Sequence, residues 1–344
     1  MLFVKPKHFD DFECIASACT RSCCVGWQIE IDTQAEQKYQ KIAEGGDNFI
    51  LESVDARRHS FLQDNEGRCR MLDKKGLCEI IKRYGEGMLC EICREHPRYY
   101  NILPDRVEGG LGLCCITAAE SILTMDFPPK YIEGQIEYID EAEEDDENIY
   151  TFALMVRGWL EELLSKEKSL TNIEQIIWNI SRFIDNYAFD VATGLSSPED
   201  AFLSLTNSES NSHYSPSFPP FLEDIEVLPR HKDGWSDFIH TSRQRSDKEY
   251  KEELYLEAHR RLLFYFLHRY FVTSCIDLSF APRIILALTL SRLILDVSII
   301  RGATTIPEIA RVASEFSESV EYSTDNVALY ISRIEQALEA DGNA

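Results

Sequence analysis

Ten of the chain's eleven cysteines fall within its first 115 residues, and Cys275 stands alone in the rest. Cys14, Cys19, Cys23 and Cys24 lie within eleven residues of one another, a density that packing of small apolar side chains does not explain. Cys69 and Cys78, then Cys90 and Cys93, then the adjacent Cys114 and Cys115 complete the set. The opening residues Met1 to His8 hold no apolar run of signal-peptide length before Asp10 and Asp11, so a cytoplasmic chain is expected. A reducing compartment keeps thiols free, which argues against a disulfide framework. Metal binding, redox chemistry and packing are the explanations left.

Thiolates are soft ligands suited to zinc or to iron–sulfur clusters, and several converging from separate loops can organise a segment with little regular structure. Only Cys90 and Cys93 form a C-x2-C, so the paired knuckles of a zinc ribbon are missing. The C-x3-C-x2-C loop of radical enzymes is missing too. A [4Fe-4S] cluster is the first expectation for the metal, with zinc as the alternative. The expected ligands are Cys19, Cys23, Cys24, Cys69, Cys78 and Cys93, with Cys14, Cys90 and Cys115 in reserve.

Charge divides the chain differently. Residues 1–127 carry 16 basic and 21 acidic side chains, net −5, which leaves 19 and 38, net −19, for residues 128–344. With an overall charge of −24, there is no surplus of Lys and Arg for neutralising phosphates, so no nucleic-acid partner is expected. The most apolar segment, Ile284 to Ile300, is interrupted by Arg292 and Asp296 one helical turn apart. It reads as a buried helix and not as a membrane span.

Trp27 to Ile31 alternates like a short strand after Gly26, and Thr33 with Glu36 has capping-box spacing for a helix to about Glu44. Cys69 to Cys78 reads as a hairpin-like knuckle turning at Asp73 to Gly76. Asp140 to Glu147 is a charge block, read as a solvated loop or helix end. From Tyr150 the pattern is helical: an apolar face at Leu154 to Leu164, a helix capped at Thr171, and helices near 250–272, 281–301, 306–319 and 325–340. Thr305 and Glu308 form a capping box for the third of these four. The expected fold class is mostly α. An irregular, cysteine-rich, metal-stabilised N-terminal module with short strands (1–127) precedes a helical C-terminal domain (128–344) with a flexible loop near 204–224.

Three blocks in fixed order carry a family resemblance: C-IASA-C-TRS-CC-VGWQIEID, C-RMLDKKGL-C-EI, and LCEICREHPR followed by Cys114 and Cys115. Together they resemble the flagellin lysine-N-methylase family across residues 4–120. His96 stands where that family usually has Tyr, and Ile116 where Pro commonly follows the last Cys; neither change removes a thiolate. The same spacing is also similar to smaller metal-chelating domains. The resemblance implies methyl transfer from S-adenosylmethionine to lysine side chains of flagellin, the expected protein partner. A non-enzymatic binding module or a redox carrier is the competing function class.

No cofactor pocket or catalytic base is legible. Glu108-Gly109-Gly110-Leu111-Gly112 lacks the strand–helix alternation of a dinucleotide-type fold and reads as a turn before the cysteine pair. Arg94 and Arg98, beside Cys93, are the candidates for holding the donor's carboxylate or for bonding to cluster sulfurs; pairing with Glu91 and Glu95 is their ordinary alternative. Trp27, Tyr99 and Tyr100 are candidates for an aromatic pocket around a cation. Among the eight histidines His96, three residues after Cys93, is the candidate for a mixed ligand.

Overall fold

The computed structural model describes residues 1–137, 147–208, 235–242, 244 and 251–342. The chain begins with a central strand. β1 (Leu2–Pro6) buries Phe3 and Val4, and after the two-residue strands β2 (Val54–Asp55) and β3 (Ser60–Phe61) come β4 (Arg98–Ile102), β5 (Arg106–Leu111) and β6 (Tyr131–Gln135). The sheet order is β4-β5-β1-β6, with β1 parallel to β5 and the other pairs antiparallel. β2 and β3 form a separate hairpin.

The glycine run at 109–112 is a correction to the sequence reading. Gly109 and Gly110 lie in β5, not in a turn. A Cβ on Gly109 would lie 2.8 Å from the Phe3 ring, and one on Gly110 would collide with the Tyr99 ring. The glycines are there because two aromatic rings cross the strand at close range.

Helices make up most of the chain. α1 (Thr33–Glu44), α2 (Glu79–Tyr84), α3 (Glu91–Glu95) and α4 (Ile116–Thr124) belong to the first 127 residues. α5 (Glu147–Lys166), α6 (Leu170–Ser181), α7 (Ile184–Ala192), α8 (Pro198–Thr206), α9 (Trp235–Ser242), α10 (Glu252–Tyr270), α11 (Phe280–Arg301), α12 (Ile306–Val320) and α13 (Thr324–Gly342) follow. The four late helices and the Thr305–Glu308 capping box match the sequence reading. Two caps do not: Asp32 caps α1 in place of Thr33, and Ser169 caps α6 in place of Thr171. Trp27 to Ile31 forms only an isolated bridge, Glu30 with Ser60. The charge block at 140–146 and most of the loop near 204–224, from residue 209, lie outside the described residues.

α11 is buried on nearly every face, and Arg292 reaches both Asp296 (3.1 Å) and Glu174 (3.0 Å). Among the described residues no helix is long and apolar enough to cross a membrane. The cores divide differently from the boundary expected at 127. One large core joins Phe3, Val107 and Leu113 to Phe152, Phe266 and Ile294. A small second core holds Ile29, Tyr39, Ile50, Met71 and Ile80, with Cys69 and Cys90. The sheet and α4 thus pack with the helical part, because β6 pairs with β1 and brings the chain beyond 127 back to the sheet.

α11 is capped from outside: Asp185 of α7 accepts the backbone N–H groups of Phe280 (2.9 Å) and Ala281 (2.8 Å). Burial pushes the Asp185 carboxyl up to about 6, against those two bonds. The folded state therefore binds this proton more tightly than the unfolded chain, whose Asp titrates near about 3.9. Stability lost to the charge sets in as pH rises from about 4 to about 6 and is complete above. Asp185→Asn keeps the acceptor oxygen and removes the charge. It is expected to gain about 2 kcal/mol on the parent between pH 4 and pH 7. Urea midpoints at both pH values check this; equal differences at the two would refute it.

Candidate functional site

The small core gathers its thiols by short backbone contacts. The Cys69 N–H donates to the Cys24 carbonyl (2.8 Å), and Gly26 donates to Gly67 (2.8 Å), so the two loops run side by side. Leu72 bridges Cys78 across a turn in which the Asp73 carboxylate accepts from Lys75 (2.7 Å) and Leu77 (2.9 Å). This is the knuckle expected at 69–78. One carboxylate then sets two helices: Asp32 accepts from Ala35 at the start of α1 and from Glu91 (2.7 Å) at the start of α3. Cys90 and Cys93 are thereby delivered to the core that holds Cys24, Cys69 and Cys78.

These five thiols sense one another. Burial, then the Cys24, Cys78 and Cys90 thiols, push Cys69 up to about 12. Cys93 donates to Cys90, which lowers Cys90 and raises Cys93. At the edge of the group Cys23 donates to Cys24, lowering Cys24 to about 7.

The remaining N-terminal cysteines sit elsewhere. Cys19 donates to the Arg21 carbonyl at 3.2 Å, and Arg21 forms an ion pair with Glu318 of α12. The Cys114 carbonyl accepts from Ser314 Oγ (2.9 Å), one turn earlier on the same helix. Tyr322, one turn later, packs against Trp27 and hydrogen-bonds His96 Nδ1 at 2.8 Å. Burial pushes Cys115 up, with Cys19 and Cys14 adding to it, and Cys14 and Cys115 act likewise on Cys23.

The expected ligand set therefore splits. Cys24, Cys69, Cys78 and Cys93 share one core with Cys90, while Cys19 and Cys23 are not part of it. The donor chemistry suits a thiophilic metal. Among the described residues, no three His, Cys, Asp or Glu side chains are drawn together closely enough to hold an ion.

Arg94 is half exposed and paired with Glu95 at 2.9 Å, and Arg98 stacks over Phe9 and Phe12. Arg94 also lines a surface cleft of about 300 Å³ with Asp32, Lys38, Leu89 and Glu91. The three aromatic candidates are not brought together. Trp27 meets Tyr322, Tyr100 bonds Glu95 (2.7 Å), and Tyr99 lies under the Arg269 guanidinium at 4.7 Å.

A buried polar seam between sheet and helices escaped the sequence reading. Glu108 of β5 takes Arg157 of α5 in a two-pronged pair at 2.5 and 2.7 Å. His268 lies 3.9 Å from Glu108, and its Nδ1 is 3.0 Å from the Tyr99 hydroxyl. Burial lowers His268 to about 4, so the ring is neutral. Beside it Tyr265 and Tyr270 both donate to Glu321 at 2.8 Å, and Arg269 joins them. The signal available was Glu108 itself, a carboxylate in an apolar segment; its partners on α5 and α10 carry no spacing that links them to it.

No family model matches the chain, and no solved structure matches it. Curated relatives do. The Flagellar biosynthetic protein FliU of Salmonella muenchen is 28% identical over 138 residues, 35% of this chain and 75% of that protein. The Lysine-N-methylases of Salmonella choleraesuis (strain SC-B67) and Salmonella typhimurium are each 28% identical over 127 residues. Those matches cover 35% of this chain and 32% of each relative, so the chain spans about a third of the lysine-N-methylases it matches. The resemblance to lysine-N-methylases is thus found by direct comparison as well as by the cysteine blocks.

Proposed function

We propose that this chain methylates lysine side chains of flagellin, with S-adenosylmethionine as the methyl donor. The observation that carries the reading is the similarity to two proteins named Lysine-N-methylase, alongside a third named for flagellar biosynthesis. The chemistry is in-line displacement. The lysine nitrogen forms the N–C bond, the sulfonium C–S bond breaks, and the donor leaves as a neutral thioether while the amine sheds its proton. A free lysine is protonated up to about pH 10.4, so the protein's task is to desolvate the amine and align it. Arg94 and Arg98 are the proposed anchors for the donor's carboxylate, and Arg94 would have to leave Glu95 to serve.

The thiols of the small core, Cys24, Cys69, Cys78, Cys90 and Cys93, would hold a thiolate metal centre, a [4Fe-4S] cluster by preference and zinc as the alternative. Its role in this reading is architectural, tying loops that carry few regular elements. Displacement from a sulfonium needs no electron transfer.

Two measurements test this on the full chain purified without oxygen. Iron with acid-labile sulfide and visible absorption is the expected metal result, and stoichiometric zinc in a colourless sample would replace the cluster. Incubation with flagellin and methyl-labelled S-adenosylmethionine is expected to place label on lysine. Metal-replete protein that transfers none would overturn the enzyme reading in favour of a binding module or a redox carrier.

A further inference from the structure

The irregular loop ahead of α1 meets the helical part at a charged contact. Between Phe9 and Val25 its regular structure is the short turn Ala16–Ala18 alone, and from it Arg21 pairs with Glu318 of α12. The Glu318 side chain is 3% exposed and that of Arg21 is 26% exposed. The guanidinium is poorly housed there. Its Nη2 meets the carboxylate, but its Nε is buried with no hydrogen-bond partner among the described residues. A buried carboxylate needs a cation beside it, and nothing requires that the cation belong to this loop. Beside the pair, rings from three distant parts of the chain come together. Tyr322, one turn beyond Glu318, packs on Trp27 with ring centroids 3.4 Å apart and stacks with His96 at 6.1 Å. Its hydroxyl lies 2.8 Å from His96 Nδ1, and His96 Nε2 is buried with no hydrogen-bond partner among the described residues. Burial holds His96 down at about 4, so the ring is neutral and does not repel a cation. Tyr322 itself is still 36% exposed. An aromatic wall, a buried carboxylate and a neutral acceptor are the parts that bind an alkylammonium group.

We propose that Glu318, walled by Tyr322 and Trp27 and seconded by His96 Nε2, receives the ammonium of the substrate lysine, and that Arg21 is an internal stand-in which this lysine displaces. The inference rests on the lysine-methylation reading above and adds the place where the lysine binds. When His96 Nδ1–H donates to the Tyr322 oxygen, Nε2 carries the lone pair and accepts an N–H from the incoming group. Lysine suits the exchange, because a compact ammonium with three donors serves Glu318 and His96 together. Arg21 leaves His96 Nε2 without a partner. It lies in no helix or strand, so its departure breaks no backbone ladder. Burial disfavours both charges of a carboxylate–ammonium pair. A proton can therefore pass from the lysine Nζ to a Glu318 oxygen, which leaves a neutral amine and a neutral acid.

The test is calorimetric binding of Nα-acetyl-lysine methylamide to the full chain purified without oxygen, with the uncharged norleucine analogue as control. Arg21→Ala removes the internal competitor and is expected to bind the lysine probe about tenfold tighter than the parent, with no gain for norleucine. Glu318→Gln in the Arg21→Ala background is expected to abolish the gain, with unchanged helical circular dichroism. The parent supplies a second readout that needs no variant to fold. Saturating lysine probe should speed phenylglyoxal labelling of Arg21, followed by mass spectrometry, because the displaced guanidinium enters water. Equal affinity in parent and Arg21→Ala, an equal gain for norleucine, or Arg21 labelling that the probe leaves unchanged or slows would overturn the site. Label transfer to flagellin separates this from the reading beneath it. Methylated flagellin alongside an Arg21 that the probe does not displace would sink the site and keep the methyltransferase. Probe binding that follows Arg21 and Glu318 without any label transfer would keep the site as a lysine receptor and sink the methyltransferase.

Discussion

Arg157→Leu is expected to lower the unfolding free energy by about 3–5 kcal/mol, the usual cost of breaking a buried pair by removing one partner. Glu108 is 1% exposed, and both of its oxygens are taken by Arg157. Burial by itself pushes the Glu108 carboxyl up, but the Arg157 charge and hydrogen bonds outweigh it and hold the group below its ordinary value. A carboxyl lowered in this way contributes stability that is present above its unfolded pKa and lost as pH falls through the folded one. The deficit of Arg157→Leu should therefore be largest at neutral pH and shrink on acidification, where the parent loses the same contribution. Urea denaturation at pH 7 and pH 4 measures both. A further substitution, Glu108→Leu in the Arg157→Leu background, is expected to recover most of the loss, since an apolar pair of similar volume leaves no charge buried. A loss under about 1 kcal/mol at pH 7 would mean that water reaches Glu108 and relieves it.

That pair also shows where the sequence runs out. Periodicity located α10 to α13 and the knuckle at Cys69–Cys78, because an apolar stripe and a turn are local patterns. It did not place Gly109 and Gly110 in a strand, since their small size answers to the Phe3 and Tyr99 rings, residues distant or across the sheet. The cap of α1 moved by one residue, from Thr33 to Asp32, because Asp32 also serves α3, nearly sixty residues on. The thiol count was legible from composition. The division of the thiols was not, since it depends on which of two cores each loop joins. Arg94 beside Glu95 is the plain neighbour pairing that the spacing itself offered.

The second large effect is expected at Arg269→Met, a loss of about 3 kcal/mol or more for the same electrostatic reason. Here the carboxylate is Glu321, whose side chain is 1% exposed. Its Oε1 receives Tyr265 and Tyr270 at 2.8 Å and Arg269 at 3.2 Å, while Oε2 has no hydrogen-bond partner among the described residues. Two neutral hydroxyls solvate a buried charge less well than hydroxyls plus a cation. The guanidinium also lies 4.7 Å from the Tyr99 ring and 5.3 Å from the Tyr270 ring. Arg269→Lys should therefore restore the charge but only part of the stability, because an ammonium does not stack as a planar guanidinium does. The site reaches the thiol region directly. The Tyr265 hydroxyl takes the Leu113 N–H at 3.3 Å and an Arg269 N–H at 2.6 Å, one residue before Cys114. Burial pushes the Cys114 thiol up to about 12, which keeps it protonated and unreactive at neutral pH. Loosening the Leu113 turn exposes that thiol, so native-state alkylation at Cys114 should quicken in Arg269→Met, while alkylation at Cys275 should not outrun global unfolding. Parent-like urea midpoints together with an unchanged Cys114 alkylation rate would show that Arg269 supports neither Glu321 nor the turn.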